Sequence, residues 1–438
     1  SSLALTIDGV QLADEPTIQV KAGAVNGSKT TVGFAAGSVV SGTTDTTTIL
    51  LEDAAGNAIS GLKNSAFVLA FARGTSTGAF GRVTETTTPG TYMTAFTGVL
   101  AGTASKLILK VNGIVIATHP SIQVTSAAPS GGKSLVRFAA STVTSGKTDQ
   151  LIIAVKDPAG NAITDLTNSD FALHFSSGTS TGSFGTVTET ATHGTYTVPF
   201  TGTLAGTASA LTVTVDSVQL NTQPKVRVNA GHVSGSTSSV SFAASTVASG
   251  TTELATIVVE DAAGNVITGL PGSAFALSLS KGMSTGSFGT VIATTTPGTY
   301  TASFTGMIAG TVRALTVKVN GVQLITQPTI QVMPGTVNGA KSTVTFATSA
   351  VISGNTDTLT IVVKDAAGNA ITGLPESVFD LGLSGGTSTG SFTTVSETQT
   401  PGTYTVVFTG AIAGTASTLS AKVSGVQFLK QPKVTVTT

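Results

Sequence analysis

Residues 299–304 read TYTASF, with Tyr300, Ala302 and Phe304 alternating with Thr301 and Ser303. A period of two puts the apolar set on one face of a pleated strand and the hydroxyls on the other. That is the pattern of a strand with one buried face. LTVTV at 211–215 repeats it, with Leu211, Val213 and Val215 inward and Thr212 and Thr214 outward. Between such runs stand two-residue turns. Asn112-Gly113 and Asn320-Gly321 suit a type I′ turn, which needs positive φ at both positions. Asp8-Gly9 and Ser424-Gly425 hold the same place, and Asp216-Ser217 is a weaker variant. AGN after Asp53 and the Pro-Gly before Thr91 mark further turns. No window gives three turns of helical periodicity, because Gly and β-branched residues saturate the chain.

The same pattern returns at a fixed spacing. Asp53, Asp157, Asp261 and Asp365 are each 104 residues apart, as are Tyr92, Tyr196, Tyr300 and Tyr404. Gly56, Gly160, Gly264 and Gly368 keep step, and so do Pro120, Pro224, Pro328 and Pro432. The 438 residues therefore divide as 4 × 104 + 22, and the first 22 match the closing piece of a unit. Fixed-period self-similarity identifies a tandem array. About seven short strands in roughly 100 residues predict an immunoglobulin-like sandwich for each copy. The expected organisation is all-β: a closing hairpin of a preceding repeat at 1–22, then immunoglobulin-like repeats at 27–124, 131–228, 235–332 and 339–438. The segments between them (21–28, 125–132, 229–236 and 333–340) are short and built of small residues. Neighbouring repeats should follow one another closely.

Composition excludes several classes of function. Lys+Arg and Asp+Glu are 21 each, and charged residues make up 10% of the chain, against roughly a quarter in ordinary domains. No basic footprint exists for nucleic acid. The apolar fraction of 40% is too high for a disordered chain. Cysteine is absent, which removes disulfides, thiolate metal sites and Cys nucleophiles. No apolar run is long enough to span a membrane as a helix.

The aromatic residues follow the repeat. All four Tyr recur, and so do all but three of the 19 Phe. Of those three, Phe71 and Phe175 share a phase that Leu279 and Leu383 fill in the other copies, and Phe428 is the remaining one. Apolar identity is kept at the shared phase, so these rings read as core, with Tyr92, Tyr196, Tyr300 and Tyr404 as core aromatics. Without Trp, no platform remains for stacking on sugars or bases.

The repeat carries a family resemblance. FAASTVASGTTELATIVVEDAAGNVITGL at 242–270, GSFGTVIATTTPGTYTASFTG at 286–306 and AGTVRALTVKVNGVQL at 309–324 resemble bacterial immunoglobulin-like repeats of the invasin and intimin type. The second half of the unit is also similar to filamin-type repeats. The resemblance covers essentially the whole chain. It implies a tandem array in an extracellular or bacterial cell-surface setting, serving as stalk, spacer or adhesive fibre. The separate binding domain that ends invasin-like proteins has no counterpart here.

The recurrent polar residues are the candidates for chemistry. His119, His174, His193 and His232 fall at four different phases, so no copy holds a His cluster. GTSTG at 74–78 and 178–182 lacks the Lys and the following helix of a phosphate loop. Three carboxylate phases recur: Asp45, Asp149, Glu253 and Asp357; Asp53, Asp157, Asp261 and Asp365; and Glu85, Glu189 and Glu397 with Ala293 in the third copy. Two readings stand for them. Either each repeat carries a calcium site, or Asp53, Asp157, Asp261 and Asp365 are structural turn residues that accept backbone N–H bonds. The segments between repeats contain no carboxylate, so ion-rigidified junctions are not expected.

No catalytic, cofactor-binding or metal residue is assigned, and no cofactor is expected. The expected role is a non-enzymatic stalk or spacer. The alternative is a self-assembling extracellular filament joined by strand pairing between chains. The partners expected are neighbouring immunoglobulin-like repeats of the same or identical chains, with self-association into fibres under the alternative. No nucleic acid and no membrane span are expected. The N-terminal piece is an expectation of its own. Leu3, Leu5 and Ile7, with Val10 and Leu12 beyond the turn, need a sandwich to cover them, since a lone hairpin is marginal in water. Either a longer array supplies it upstream, the favoured reading, or a neighbouring molecule does.

Overall fold

In the computed structural model all residues, Ser1–Thr438, are described. They divide into two compact units, Ser1–Asn229 and Ala230–Thr438. Each unit holds two β-sandwiches of one topology, and the first unit also holds a two-stranded hairpin. The hairpin pairs β1 (Thr6–Ile7) with β2 (Val10–Gln11). Its apolar residues Leu3, Leu5, Ile7, Val10 and Leu12 lie exposed, from 44% at Leu12 to 71% at Val10.

The first sandwich shows the common plan. One sheet is formed by β3 (Thr31–Phe34), β5 (Thr44–Leu50), β7 (Thr77–Phe80), β8 (Thr84–Glu85) and β9 (Thr91–Leu100), in the order β3-β5-β9-β7 with β8 also on β9. The other is formed by β4 (Ser38–Val40), β6 (Phe67–Ala72), β10 (Ser105–Val111), β11 (Ile114–Val115) and β12 (Ser121–Thr125), in the order β11-β10-β12-β4 with β6 on β10. Seven of these ten strands have four or more residues, matching the expected number. The other three, β4, β8 and β11, have only two or three residues. All pairings are antiparallel except β4 with β12.

Period-two alternation sets the inward residues. In β9, Tyr92, Thr94, Phe96 and Gly98 are buried, and Met93, Ala95 and Val99 are exposed. Phe96 is fully buried between the rings of Phe34, Phe71 and Phe80, at centroid distances of 5.8, 5.2 and 5.0 Å. Burying a side chain of this size contributes about 1.5–3 kcal/mol. Where repeat 3 has Leu279 in place of Phe71, the leucine packs against the same core. Phe428 is fully buried at the phase of Ile116, Leu220 and Leu324.

The hairpin turns adopt the backbone their sequences dictate. Asn112 and Gly113 sit at φ 49° and 83°, and Asn320 and Gly321 at 48° and 82°. Asp216-Ser217 takes the same shape at 45° and 68°, with a serine where the others have glycine. Gly78 serves a different purpose. A Cβ there would meet the Thr97 carbonyl oxygen and the Phe96 ring, and Gly182, Gly286 and Gly390 repeat this closeness. Glycine lets β7 lie against the Phe-bearing strand.

Candidate functional site

The recurrent polar residues converge on three places, the second of which is absent from repeat 3, where Ala293 stands. The first is the turn that begins at Asp53, Asp157, Asp261 or Asp365. Asp53 Oδ1 accepts the backbone N–H groups of Ala55 and Asn57, both at 2.9 Å. Its Oδ2 accepts Gly23 N–H at 2.8 Å and Asn57 Nδ2 at 2.9 Å. Asp261 repeats the set with Ala263, Asn265 and Gly231. The carboxylate thus closes its own turn and ties it to the segment leading into the sandwich, 30 residues upstream.

The same turn reaches the preceding sandwich. In the first unit, Asn161 Nδ2 donates to Asp157 Oδ2 at 2.8 Å, and also to Ser41 Oγ at 3.0 Å and the Val99 carbonyl at 2.9 Å. Asn161 Oδ1 accepts Ala101 N–H at 3.0 Å. Ser41 and the end of β9 belong to the first sandwich, while Asp157 and Asn161 belong to the second. Ala127, between them, donates its N–H to Asp157 Oδ2 at 3.2 Å. One carboxamide, held by one carboxylate, therefore joins two domains.

The second unit builds the same latch from its own residues. Asn369 Nδ2 donates to the Met307 carbonyl at 2.9 Å and to Asp365 Oδ2 at 2.7 Å. Its Oδ1 accepts Ala309 N–H at 2.9 Å, and Gly335 N–H reaches Asp365 Oδ2 at 2.9 Å. Burial pushes the carboxyls of Asp157 and Asp365 up. Hydrogen bonds from the Asn side chain and surrounding N–H groups, joined by Ser41 and Ser249, outweigh it and hold both below the ordinary carboxylate range. Asp53 is also held low, first by Gly23 N–H and then by Asn57. The segments between repeats lack acids, as the sequence shows, yet an acid from the following turn stands at each of these two junctions. Its oxygens face N–H donors.

The second place is the Glu85 phase. Glu85 Oε2 accepts Gly61 N–H at 2.7 Å and its Oε1 accepts Gly90 N–H at 3.0 Å, bracing the loop after β5 against the turn before β9. Glu189 and Glu397 make the equivalent pairs with Asp165 and Gly194, and with Gly373 and Gly402. The Tyr hydroxyl beside this brace donates to the Ile59 carbonyl at 3.1 Å and accepts Leu62 N–H at 3.0 Å. Tyr196, Tyr300 and Tyr404 bond identically placed residues. Burial raises the hydroxyl pKa of Tyr92, Tyr196 and Tyr404. The third place is the Asp45 phase, where Asp45, Asp149, Glu253 and Asp357 each accept one backbone N–H from the loop after the first strand.

GTSTG at 74–78 runs into β7 and staples the two sheets. Ser76 Oγ accepts Val124 N–H at 2.9 Å, and Ser105 Oγ donates to the Ser76 carbonyl at 2.7 Å. No three His, Asp or Glu side chains gather as a metal-binding group. An open cleft of about 730 Å3 lies beside the latch of the first unit, lined among others by Thr75, Gln123, Asn161, Asp165 and His193. His193 stands where the other copies have Pro89, Pro297 and Pro401, and Asp165 where they have Gly61, Gly269 and Gly373. The cleft's titratable pair is therefore peculiar to one repeat.

The turn chemistry that singles out the Asp in the sequence does not single out the Asn. Asn57, Asn161, Asn265 and Asn369 recur without exception four residues after each Asp. That invariance was the available signal.

No family profile matches the sequence, and no curated protein matches it. Solved structures do. The FdeC adhesin of Escherichia coli is 24% identical and aligns over 72% of this chain and 100% of its own, with a TM-score of 0.48. Invasin, a bacterial integrin-binding protein, is 18% identical over 93% of this chain and 79% of its own, with a TM-score of 0.43. InvD of Yersinia pseudotuberculosis is 21% identical over 69% and 84%, with a TM-score of 0.37. The chain is a tandem array of immunoglobulin-like β-sandwiches, similar to the repeats of bacterial adhesins.

Proposed function

We propose that this array is the non-enzymatic stalk of a bacterial surface or secreted fibre, a spacer that sets the distance between an attachment point and whatever it presents. The observation that supports it is the latch. Asn161 and Asn369, in separate units, spend both ends of their carboxamides on the preceding sandwich. A spacer needs junctions that resist bending, and a buried carboxamide bonded on both sides of a junction supplies that resistance. The Asp, Glu and Tyr groups that recur are engaged with backbone, which serves stability rather than turnover. The filament alternative, by strand pairing, is less favoured. The outer strands β3, β4 and β7 are only three or four residues long, and short edges are poor templates for another chain; β6, paired only with β10, is the one longer edge at six residues.

The test is hydrogen exchange on the full chain carrying Asn161→Ala and Asn369→Ala. The expected result is faster exchange at the Ala101 and Ala309 amides, with the strand amides of all four sandwiches unchanged. Unaltered protection at Ala101 and Ala309 would overturn the junction role on which the stalk reading rests.

A further inference from the structure

Repeat 3 departs from the other three at one loop, which repeats 1, 2 and 4 close with a pair of threonines. Thr75 Oγ1 accepts Thr103 N–H at 2.8 Å, and Thr103 Oγ1 accepts Thr75 N–H at 3.1 Å. Thr179 with Thr207 and Thr387 with Thr415 do the same. Repeat 3 has Met283 where the first threonine stands, and of that pair of bonds only Met283 N–H to Thr311 Oγ1, at 3.2 Å, remains. Arg313, standing where the other copies have Ser105, Ser209 and Ser417, takes over. Its guanidinium donates to the carbonyls of Ser280, Ser284 and Leu279. The loop is thus held by other means, and the methionine it carries is 66% exposed. Packing does not explain a thioether in water.

Three of the four methionines of the chain lie at this end of repeat 3, the end that bears the latch. Met307 and Met333 are 51% and 43% exposed, where repeat 1 has Val99 and Thr125. Ser249 fixes both backbones: its Oγ donates to the Met307 carbonyl at 2.7 Å, and its N–H to the Met333 carbonyl at 2.8 Å. Met307 is the extra residue of a β-bulge, so the strand Thr285–Phe288 places no residue opposite it. The fourth, Met93, is 39% exposed and lies between its cross-strand neighbours Thr48 and Thr84.

From this placement we propose that the latch end of repeat 3 is an oxidation site. A peroxide converts Met283, Met307 and Met333 to sulfoxides there, turning an apolar surface polar with the fold intact. The sulfur lone pair takes one oxygen of hydrogen peroxide as the O–O bond breaks. The proton on that oxygen passes to the departing hydroxide, and water leaves. Sulfur gives up two electrons and the peroxide takes them. The sandwich tolerates the change because the latch and the loop hold the backbone groups of these residues, not their side chains. An exposed sulfoxide oxygen also stays hydrated. The first unit's junction, with Thr75, Val99 and Thr125 at these positions, offers no thioether.

The test is hydrogen peroxide on the full chain, followed by peptide mass mapping, hydrophobic-interaction chromatography and thermal melting. Met283 is expected to oxidise about twice as fast as Met93, following exposure. Column retention should fall while the melting temperature stays. Methionine sulfoxide reductase with a dithiol as reductant should restore the retention. The variant Met283→Leu, Met307→Leu, Met333→Leu conserves volume and should keep its retention through the same treatment. Oxidation of Met93 ahead of Met283 would overturn the inference. So would retention that does not respond, a Leu variant that responds as the wild type does, or a melting temperature that falls with oxidation, which would show thioethers that pack rather than face water.

Discussion

Thr47 points into the first sandwich with its hydroxyl buried and without a partner. Leu151, Ala255 and Leu359 occupy the same phase in the other copies, all fully buried. Thr47 lies across from Thr94, whose hydroxyl reaches the Gly81 carbonyl at 2.9 Å, so only Thr47 pays for lost water. Thr47→Val keeps the shape and removes the orphan. It is expected to stabilise the first sandwich by about 1–2 kcal/mol, read as slower native-state exchange in β5 and β9. Unchanged exchange would show that the hydroxyl finds a partner. Repeat 3 offers the reverse case. Ala293 leaves the N–H groups of Gly269 and Gly298 without the carboxylate that Glu85, Glu189 and Glu397 provide. Ala293→Glu should restore the brace, slow exchange at those two amides and add about 1 kcal/mol. A loss of stability there would mean that the loop of repeat 3 has a different shape.

Among the hairpins, Asp216-Ser217 carries a strain the others avoid. Left-handed backbone costs a residue with a Cβ about 1–2 kcal/mol, and glycine escapes this. Ser217 stands at φ 68° where Gly113, Gly321 and Gly425 stand at 83°, 82° and 76°. Ser217→Gly should therefore stabilise the second sandwich by about 1 kcal/mol, the added freedom of the unfolded chain offsetting part of the gain. A rise in the midpoint of that sandwich's urea transition checks it; a fall would mean that chain entropy dominates. These hairpins were legible because two adjacent positive-φ residues have a narrow sequence signature. The long strands were legible because one face is buried, which imposes the period of two seen in Tyr300, Ala302 and Phe304. The parallel pairing of β4 with β12 was not. Three residues hold too little pattern, and their partners lie some 85 positions away. The latch was hidden for a related reason. An Asn after Gly reads as turn chemistry, while its decisive partner, Ala101, is 60 residues upstream in another domain.

Within each unit, the strength of the tie between sandwiches depends on one ionised carboxylate, and that gives it a pH dependence of known sign. The carboxyls of Asp157 and Asp365 are lower in the folded junction than in a free chain, because Asn and backbone N–H groups bond the charged form. A depressed folded pKa contributes stability that is fully present above the unfolded value, about 3.9. That contribution is lost as pH falls from there through the folded value. Protonation also leaves the Asn161 and Asn369 carboxamides without the acceptor that orients them. The apolar core residues Phe96 and Leu107 carry no titratable group. Junctions should therefore loosen before sandwiches melt. The amide shifts of Ala101 and Ala309 should move only below about pH 4, while the strand signal of the circular dichroism spectrum persists. EDTA should leave both readouts and the melting temperature unchanged at neutral pH, because the carboxylate oxygens already face N–H donors that a cation would have to displace. Amide shifts that titrate well above pH 4, or a melting temperature several degrees lower in chelator, would show that the junctions are held by something other than the Asp–Asn latch.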